Sequence, residues 1–155
     1  MNNQLVKDII IGIAFVLLDL LFFQHLKLFG TSIDPLLFYL LWLIGRYERT
    51  PLLLITAGLA LLQDAILDLW GIMMFSKTLL MFLIYNFVKL RSDNQLLLWQ
   101  IFLVIFAAGT LHNIIFFGLS SFFTAYANYA PFLQIVGNAG YTAIVGSIIY
   151  VFRIR

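Results

Sequence analysis

Cysteine is absent from this chain of 155 residues, so the chain forms no disulfide, thiolate metal site or cysteine nucleophile. Charged residues are also scarce, at 10% of the total, and the formal net charge is only +2. These deficits exclude an ordinary soluble domain, in which about a quarter of the residues are charged. We expect no cofactor, no metal site and no nucleic-acid partner.

Apolar side chains are abundant instead. They make up 63% of the residues, and the mean hydropathy is +1.03. Apolar runs of membrane-spanning length recur to the end of the chain. We therefore predict an all-α integral membrane protein, a six-helix transmembrane bundle formed by residues 1–155 as a single domain in contact with membrane lipid.

Turn and capping residues divide the apolar runs into six spans. The predicted spans are residues 5–23, 35–47, 51–69, 76–89, 96–119 and 131–152. Asp34–Pro35 is typical of an N-cap followed by a first-turn proline, Thr50–Pro51 repeats this pattern at span three, and Ser76 can cap span four. Span two is short, so it must tilt little, extend through Tyr47 or lie where the bilayer is thin.

The basic residues predict the orientation of the bundle. With a cytoplasmic N-terminus, seven basic residues lie inside: Lys7, Arg46, Arg49, Lys89, Arg91, Arg153 and Arg155. Only Lys27 and Lys77 lie outside. Because basic residues favour the cytoplasmic side of short loops, we predict that both termini are cytoplasmic.

Span three combines two acidic residues with a leucine-rich surface. Asp64 and Asp68 are four residues apart, so on a helix they share one face with Ala57, Ala60 and Gly71. The opposite face consists of larger apolar residues, namely Leu52, Ile55, Leu59, Leu62, Ile66 and Leu69. We predict that the leucine face contacts lipid and that both carboxylates point into protein.

Several polar residues gather at a similar depth in the outer leaflet. They are Asp19, Asp64, Asp68, Lys77, His112 and Asn113. An ionised carboxylate at a helix centre costs about 2.5–3.5 kcal/mol on insertion scales, so these residues need partners or water. Two interpretations stay open: a ligand or proton site, or contacts between helices in which Lys77 neutralises one Asp and His112 bonds another. We predict that Asp64 faces an outer-leaflet pocket lined also by spans one and five.

Span six carries small residues at helical spacing. Gly137, Gly140 and Gly146 alternate with Ala139, Ala143 and Ser147. Small residues let helices approach closely, so this span should pack tightly, either within the subunit or against a partner. The sequence has no HExxH motif, Gly-rich phosphate loop or GxSG serine, and we expect a protein that is not an enzyme.

The segment ALLQDAILDLWGI, residues 60–72, resembles the motif of the rod shape-determining protein MreD family. Members of that family show a Gly-Leu-x-x-Asp pattern near the end of the third span, followed by a glycine-containing loop. In this resemblance Asp64 is the motif aspartate, Gln63 is its neighbour and Gly71 is the loop glycine. Ala60 stands where the motif glycine is usual, and Asp68 stands where a small residue is common.

The resemblance implies a scaffold in the bacterial inner membrane that belongs to the cell-elongation machinery for rod shape and peptidoglycan synthesis. Such proteins act with the bitopic MreC and the cytoskeletal MreB, near RodA and its transpeptidase partner. The fold is said to resemble the six-helix substrate-binding subunits of energy-coupling-factor vitamin transporters. That likeness supplies an alternative, a small-molecule binding subunit, although span one lacks the Ala-x-x-x-Ala contact pattern of that class.

Overall fold

A computed structural model of the chain describes residues 3–23, 31–92, 97–123 and 131–154. Six α-helices make up most of these ranges: α1 (Asn3–Leu18), α2 (Pro35–Ile44), α3 (Arg49–Leu67), α4 (Ile72–Ser92), α5 (Leu98–Phe123) and α6 (Pro131–Ile154). A π-helical turn, Asp19–Phe23, continues α1, and no strand occurs in the described ranges. Four helices, α3 to α6, are long and apolar enough to cross a membrane. The predicted all-α membrane bundle is confirmed at this level; Lys27 and Arg155 lie outside the described residues.

The short helix α2 is the centre of the bundle. It contacts all five other helices, and eight of its ten residues are buried. The others form an incomplete ring around it, in which α1 packs on α3, α3 on α4, α4 on α5 and α5 on α6. Because α2 is apolar on every side, burial within this ring is the arrangement that its sequence favours.

The beginning of α2 lies deep in the bundle. Asp34 is its N-cap, accepting a hydrogen bond from the Leu37 backbone N–H at 2.9 Å, and Pro35 is the first helical residue, as predicted. The helix ends at Ile44, so the predicted extension through Tyr47 is wrong. Ten residues rise about 15 Å, roughly half of a 30 Å hydrocarbon core, so α2 is too short to cross a membrane by itself.

Two predicted helix caps are not used. Helix α3 begins at Arg49, one residue before Thr50–Pro51, with Glu48 as the N-cap residue. Helix α4 begins at Ile72, and Ser76 lies buried inside it. Helix α4 starts earlier than predicted because the α3–α4 connection is tight. Residues 68, 70 and 71 of this connection all have positive φ angles, and the chain reverses within four residues.

The predicted lipid face of α3 is half wrong. Leu52, Ile55 and Leu59 are buried, whereas Leu62 and Ile66 further along the same face are exposed. Helix α3 contacts α1, α2 and α4. Because these neighbours lie on more than one side of α3, its buried residues do not all lie on one face of the helix.

The small residues of α6 allow close packing within the subunit. A Cβ atom added to Gly109 of α5 would lie 3.1 Å from the Ala139 Cα of α6. Added to Gly146, it would lie 2.8 Å from the Phe38 ring and 2.9 Å from Ile105. The first of the two alternatives for this span, packing inside the subunit, is therefore the one observed.

Candidate functional site

Five buried or half-buried polar side chains from five different elements meet near the start of α2. They are Asp19 of the π-helical turn, Asp34 before α2, Gln63 of α3, Lys77 of α4 and His112 of α5, and we call them the polar cluster. Each element contributes one side chain, so the cluster ties the ring of helices to the central helix. Polar groups at this depth are stable only when they are partnered.

Lys77 is the fully buried cation of the polar cluster, with an exposed fraction of 0%. Its Nζ lies 2.9 Å from Asp34 Oδ2 and donates to Gln63 Oε1 at 2.8 Å. Gln63 Nε2 in turn donates to Asp19 Oδ2 at 2.6 Å. The Gln63 amide therefore connects the ammonium group to a second carboxylate, and its orientation is set by its two neighbours.

His112 contacts the same carboxylate as Lys77. Its Nε2 atom lies 3.4 Å from Asp34 Oδ2. The Nδ1 atom is buried and has no hydrogen-bond partner among the described residues. In a neutral imidazole that donates through Nε2, Nδ1 is an acceptor, so the cluster includes one buried acceptor whose capacity is unused.

The irregular segment before α2 is bonded to α6. The Ser32 backbone N–H donates to Asn138 Oδ1 at 2.8 Å, and the Asp34 backbone N–H donates to Thr142 Oγ1 at 3.1 Å. Non-helical backbone at membrane depth persists only where protein or a water-filled cavity satisfies it. The polar residues of α6 meet this requirement here.

A polar cavity of about 120 Å³ adjoins the polar cluster. Asp19, Asp34, Gln63 and His112 contribute to its wall, and Asn113 of α5 completes the same side. Asn113 Nδ2 donates to the Ile135 carbonyl at 3.0 Å. Within the described ranges no group of three or more His, Cys, Asp or Glu side chains is placed to hold a metal ion.

Asp64 is buried, as predicted, with an exposed fraction of 3%. Its carboxylate does not enter the polar cavity but accepts hydrogen bonds from the backbone N–H groups of Met73 at 3.0 Å and Met74 at 2.7 Å. These are unsatisfied donors of the first turn of α4, so Asp64 closes the α3–α4 connection. A cavity lined by the π-helical turn after α1 and by α5 exists, but Gln63 is the residue of α3 that lines it, so the predicted placement of Asp64 in this pocket is wrong.

Asp68 does not share a helical face with Asp64. Helix α3 ends at Leu67, and Asp68 is its C-cap residue with a left-handed backbone, φ 55°. Its backbone N–H bonds to the Asp64 carbonyl, and its side chain is exposed. Short polar residues adopt this conformation more readily than other non-glycine residues, so the backbone of the turn accounts for an aspartate at position 68.

A second group of polar residues holds the other end of α2, and the sequence analysis did not find it. Asp8 of α1 is buried, and its carboxylate accepts from Arg46 at 2.9 Å and from the Tyr47 hydroxyl at 2.8 Å. The Tyr39 hydroxyl donates to the Asp8 carbonyl at 2.5 Å. We call these four residues the Asp8 cluster. Burial and the hydrogen bond to Asp8 raise the pKa of Tyr47, which lies in the α2–α3 connection.

An apolar groove of about 490 Å³ lies between α1 and α6, the two ends of the ring. Phe15 of α1 and Ile149 of α6 form its sides, and Phe38 and Trp42 of α2 contribute to its floor. Arg46 lies at one end, with its guanidinium 4.5 Å from the centre of the Trp42 ring. The groove therefore combines aliphatic, aromatic and cationic surface.

Of the two carboxylates that define these clusters, one could have been found from the sequence and the other could not. Asp34 was interpreted only as a helix cap, but a ten-residue helix is too short to reach both membrane surfaces, so one of its ends lies within the bilayer. Asp8 follows Lys7 in a polar N-terminal segment and has no local pattern that predicts pairing with Arg46, 38 positions later.

Comparisons with known proteins give no assignment, since no family model, curated protein or solved structure matches the chain. Function is inferred from the geometry of the cavity and groove and from the resemblance carried by residues 60–72.

Proposed function

We propose that this protein is a non-enzymatic scaffold of the bacterial cell-elongation machinery that binds one transmembrane helix of an MreC-like partner in the apolar groove. In this proposal it is a member of the MreD family in the inner membrane, with both termini in the cytoplasm. RodA, its transpeptidase and MreB are then neighbours in the same assembly.

The observation that carries the proposal is the apolar groove between α1 and α6. Every other neighbouring pair in the ring packs directly, so this is where the ring of helices is incomplete. A volume of about 490 Å³ accommodates several side chains from one face of a helix rather than a whole helix. Helices associate in membranes through such close packing of complementary surfaces.

The residues around the groove suit a helix partner. Both helices beside the groove carry further exposed apolar side chains, Ile10 and Leu17 of α1 and Ile144 and Ile148 of α6. Trp42 and Arg46 supply the aromatic and guanidinium groups that are enriched at protein interfaces. This combination favours a protein partner over a lipid chain, which needs neither group.

The alternative, a vitamin-binding subunit of an energy-coupling-factor transporter, would use the polar cavity. Its volume of about 120 Å³ is below the roughly 300–1,000 Å³ of typical small-molecule pockets. The polar residues in its wall are largely engaged with one another. The dimensions of the polar cavity therefore argue against a vitamin bound there.

Site-specific cross-linking in the native membrane tests the proposal. A photo-reactive phenylalanine analogue at Ile149, in the groove, should cross-link to an MreC-like protein. The same analogue at Leu54 of α3, which is exposed outside the groove, is the control and should give no such product. Recovery of an ATPase-coupled transporter without an MreC-like protein would contradict the proposal.

A further inference from the structure

The apolar groove has one polar end, which is formed by the Arg46 side chain. The Arg46 Nη1 atom donates to both oxygens of Asp8, at 2.9 and 3.2 Å, and the guanidinium lies 4.5 Å from the centre of the Trp42 ring. These two contacts fix the orientation of the guanidinium. Its Nε and Nη2 atoms have no hydrogen-bond partner among the described residues, and the side chain is 33% exposed. Two parallel N–H donors along one edge of a guanidinium suit bidentate binding of an oxyanion.

Helices α2 and α6 lie side by side and run in the same direction. The Asp34 backbone N–H donates to Thr142, 108 positions later in the chain. One turn further along both helices, the Phe38 ring lies 2.8 Å from the position of a Cβ atom added to Gly146, which is the same separation in sequence. Each residue of α2 therefore lies level with the residue of α6 that follows it by this separation.

Tyr150 of α6 brings a second donor to the polar end of the groove. The same separation places Tyr150 level with Trp42, whose ring contacts the Arg46 guanidinium. Tyr150 lines the groove, and its hydroxyl has no hydrogen-bond partner among the described residues. The other polar side chains of the groove wall are donors as well, namely the Trp42 indole and the Tyr39 hydroxyl, which donates to the Asp8 carbonyl. A set of donors at one end of an apolar groove fits an anion on an apolar molecule.

Positive charge is in excess around this end of α2. Lys89 lies close to Arg46, because its Nζ atom donates to the carbonyls of Ile44 and Gly45. Four basic and two acidic side chains of the described residues belong to this end of the bundle: Lys7, Arg46, Arg49, Lys89, Asp8 and Glu48. The Asp8 carboxylate neutralises one cation there, and the remaining excess favours an anionic ligand.

The polar end of the groove lies at the level of lipid headgroups. Helix α3 begins at Arg49 and is long and apolar enough to cross a membrane, so the connection that carries Arg46 lies at a membrane surface. The helices on either side of the groove expose apolar side chains close to this end, at Ile10 and Ile148. An anion that approaches between these helices is therefore carried by a lipid. Basic pockets between transmembrane helices commonly bind anionic headgroups.

We propose that the Arg46 end of the groove binds the phosphate group of an anionic phospholipid. The Nε and Nη2 atoms of Arg46 are the bidentate donors, and the Tyr150 hydroxyl is a further donor. The acyl chains stay in the bilayer beside α1 and α6, and the apolar length of the groove stays available to the helix of a protein partner. The inference goes beyond the proposed scaffold function and does not depend on it.

Thermal unfolding of the purified full-length protein in mild detergent tests this inference without a protein partner. Phosphatidylglycerol is added, and the comparisons are phosphatidylcholine with the same acyl chains and soluble glycerol phosphate. Phosphatidylglycerol at about 30 times its Kd should raise the Tm by roughly 4–8 °C, and the rise should saturate. The two comparison compounds should leave the Tm nearly unchanged. The inference is overturned if phosphatidylglycerol gives no rise, if phosphatidylcholine gives an equal rise without a net charge, or if glycerol phosphate gives an equal rise without acyl chains.

Matched variants assign the effect to the end of the groove. Tyr150→Phe removes only a hydroxyl and should weaken the affinity for phosphatidylglycerol about tenfold, as expected for one hydrogen bond to a charged group. Tyr141→Phe removes a hydroxyl from the same helix outside the groove and should keep the full affinity. Arg46→Lys keeps the charge but loses the bidentate edge, so its affinity should also fall about tenfold.

These variants leave the net charge of the protein unchanged, so general attraction of anionic lipid to basic side chains does not explain a difference among them. An unchanged affinity in Tyr150→Phe, or an equal loss in Tyr141→Phe, overturns the inference. If Arg46→Lys does not fold, the two tyrosine variants decide.

Discussion

The two ends of α2 are each held by a carboxylate paired with a basic side chain, but the two basic side chains differ in their exposure to solvent. In the Asp8 cluster one carboxylate meets one guanidinium, and the Arg46 side chain is 33% exposed. In the polar cluster, Lys77 is completely buried and serves Asp34 while Asp19 adds a second carboxylate. A partly exposed guanidinium can exchange its carboxylate partner for water, whereas a fully buried ammonium group and its partner cannot.

The side chains at the two ends of α2 also complement the dipole of this central helix. Asp34 caps the N-terminus of α2, where the helix dipole is positive. At the C-terminus, Lys89 donates to the carbonyls of Ile44 at 3.3 Å and Gly45 at 3.2 Å. Both ends of this buried helix are thus neutralised by side chains from other helices.

The largest expected effect is on the buried cation. Lys77→Met keeps the length of the side chain but leaves Asp34 without its ammonium partner in a buried position. We expect the free energy of unfolding in detergent to fall by about 3–5 kcal/mol, as for other buried pairs that lose one partner. The measurement is chemical or thermal unfolding of the purified protein.

The double variant Lys77→Met with Asp34→Asn is the control for that prediction. Removing both charges should recover part of the lost stability, because the cost arises mainly from the unpaired carboxylate. A double variant as unstable as the sum of the two single variants would show that Lys77 and Asp34 do not interact energetically.

A smaller loss of stability is expected at Asp64, which accepts hydrogen bonds from the first turn of α4 and does not pair with a cation. Asp64→Leu leaves the Met73 and Met74 backbone N–H groups without their acceptor and should cost about 2–3 kcal/mol in the free energy of unfolding. Leu62→Ala is the matched control on the same helix, with an exposed fraction of 37%, and should be nearly silent. Equal losses in the two variants would contradict this role of Asp64.

The smallest effect is expected in the Asp8 cluster. Asp8→Asn keeps an oxygen acceptor for Tyr47, and the Arg46 guanidinium can turn towards water because it is partly exposed. We expect a loss of about 1 kcal/mol in the free energy of unfolding, the usual net contribution of one hydrogen bond. A loss as large as that of Lys77→Met would remove the distinction between the two ends of α2.

Much of the helical layout could be predicted because it depends on local patterns. Apolar runs identify helices of membrane-spanning length, and Asp34–Pro35 identifies the start of α2. The prediction of the α3–α4 boundary was less accurate, since no local motif requires the positive φ angles of Asp68 and Trp70. The burial of Asp64 was predicted correctly, but its partners were not.

What the sequence by itself determined is the membrane environment and the helices, because both follow from composition and helical period. Only the tertiary structure decided which carboxylate receives Lys77. Its partner is Asp34, 43 positions away, rather than Asp64 on the preceding helix. That choice depends on α2 occupying the centre of the bundle, where it brings the carboxylate of its N-cap within reach of α4 and α5. No periodicity within a single helix contains that information, since it is set by how five helices close around a sixth.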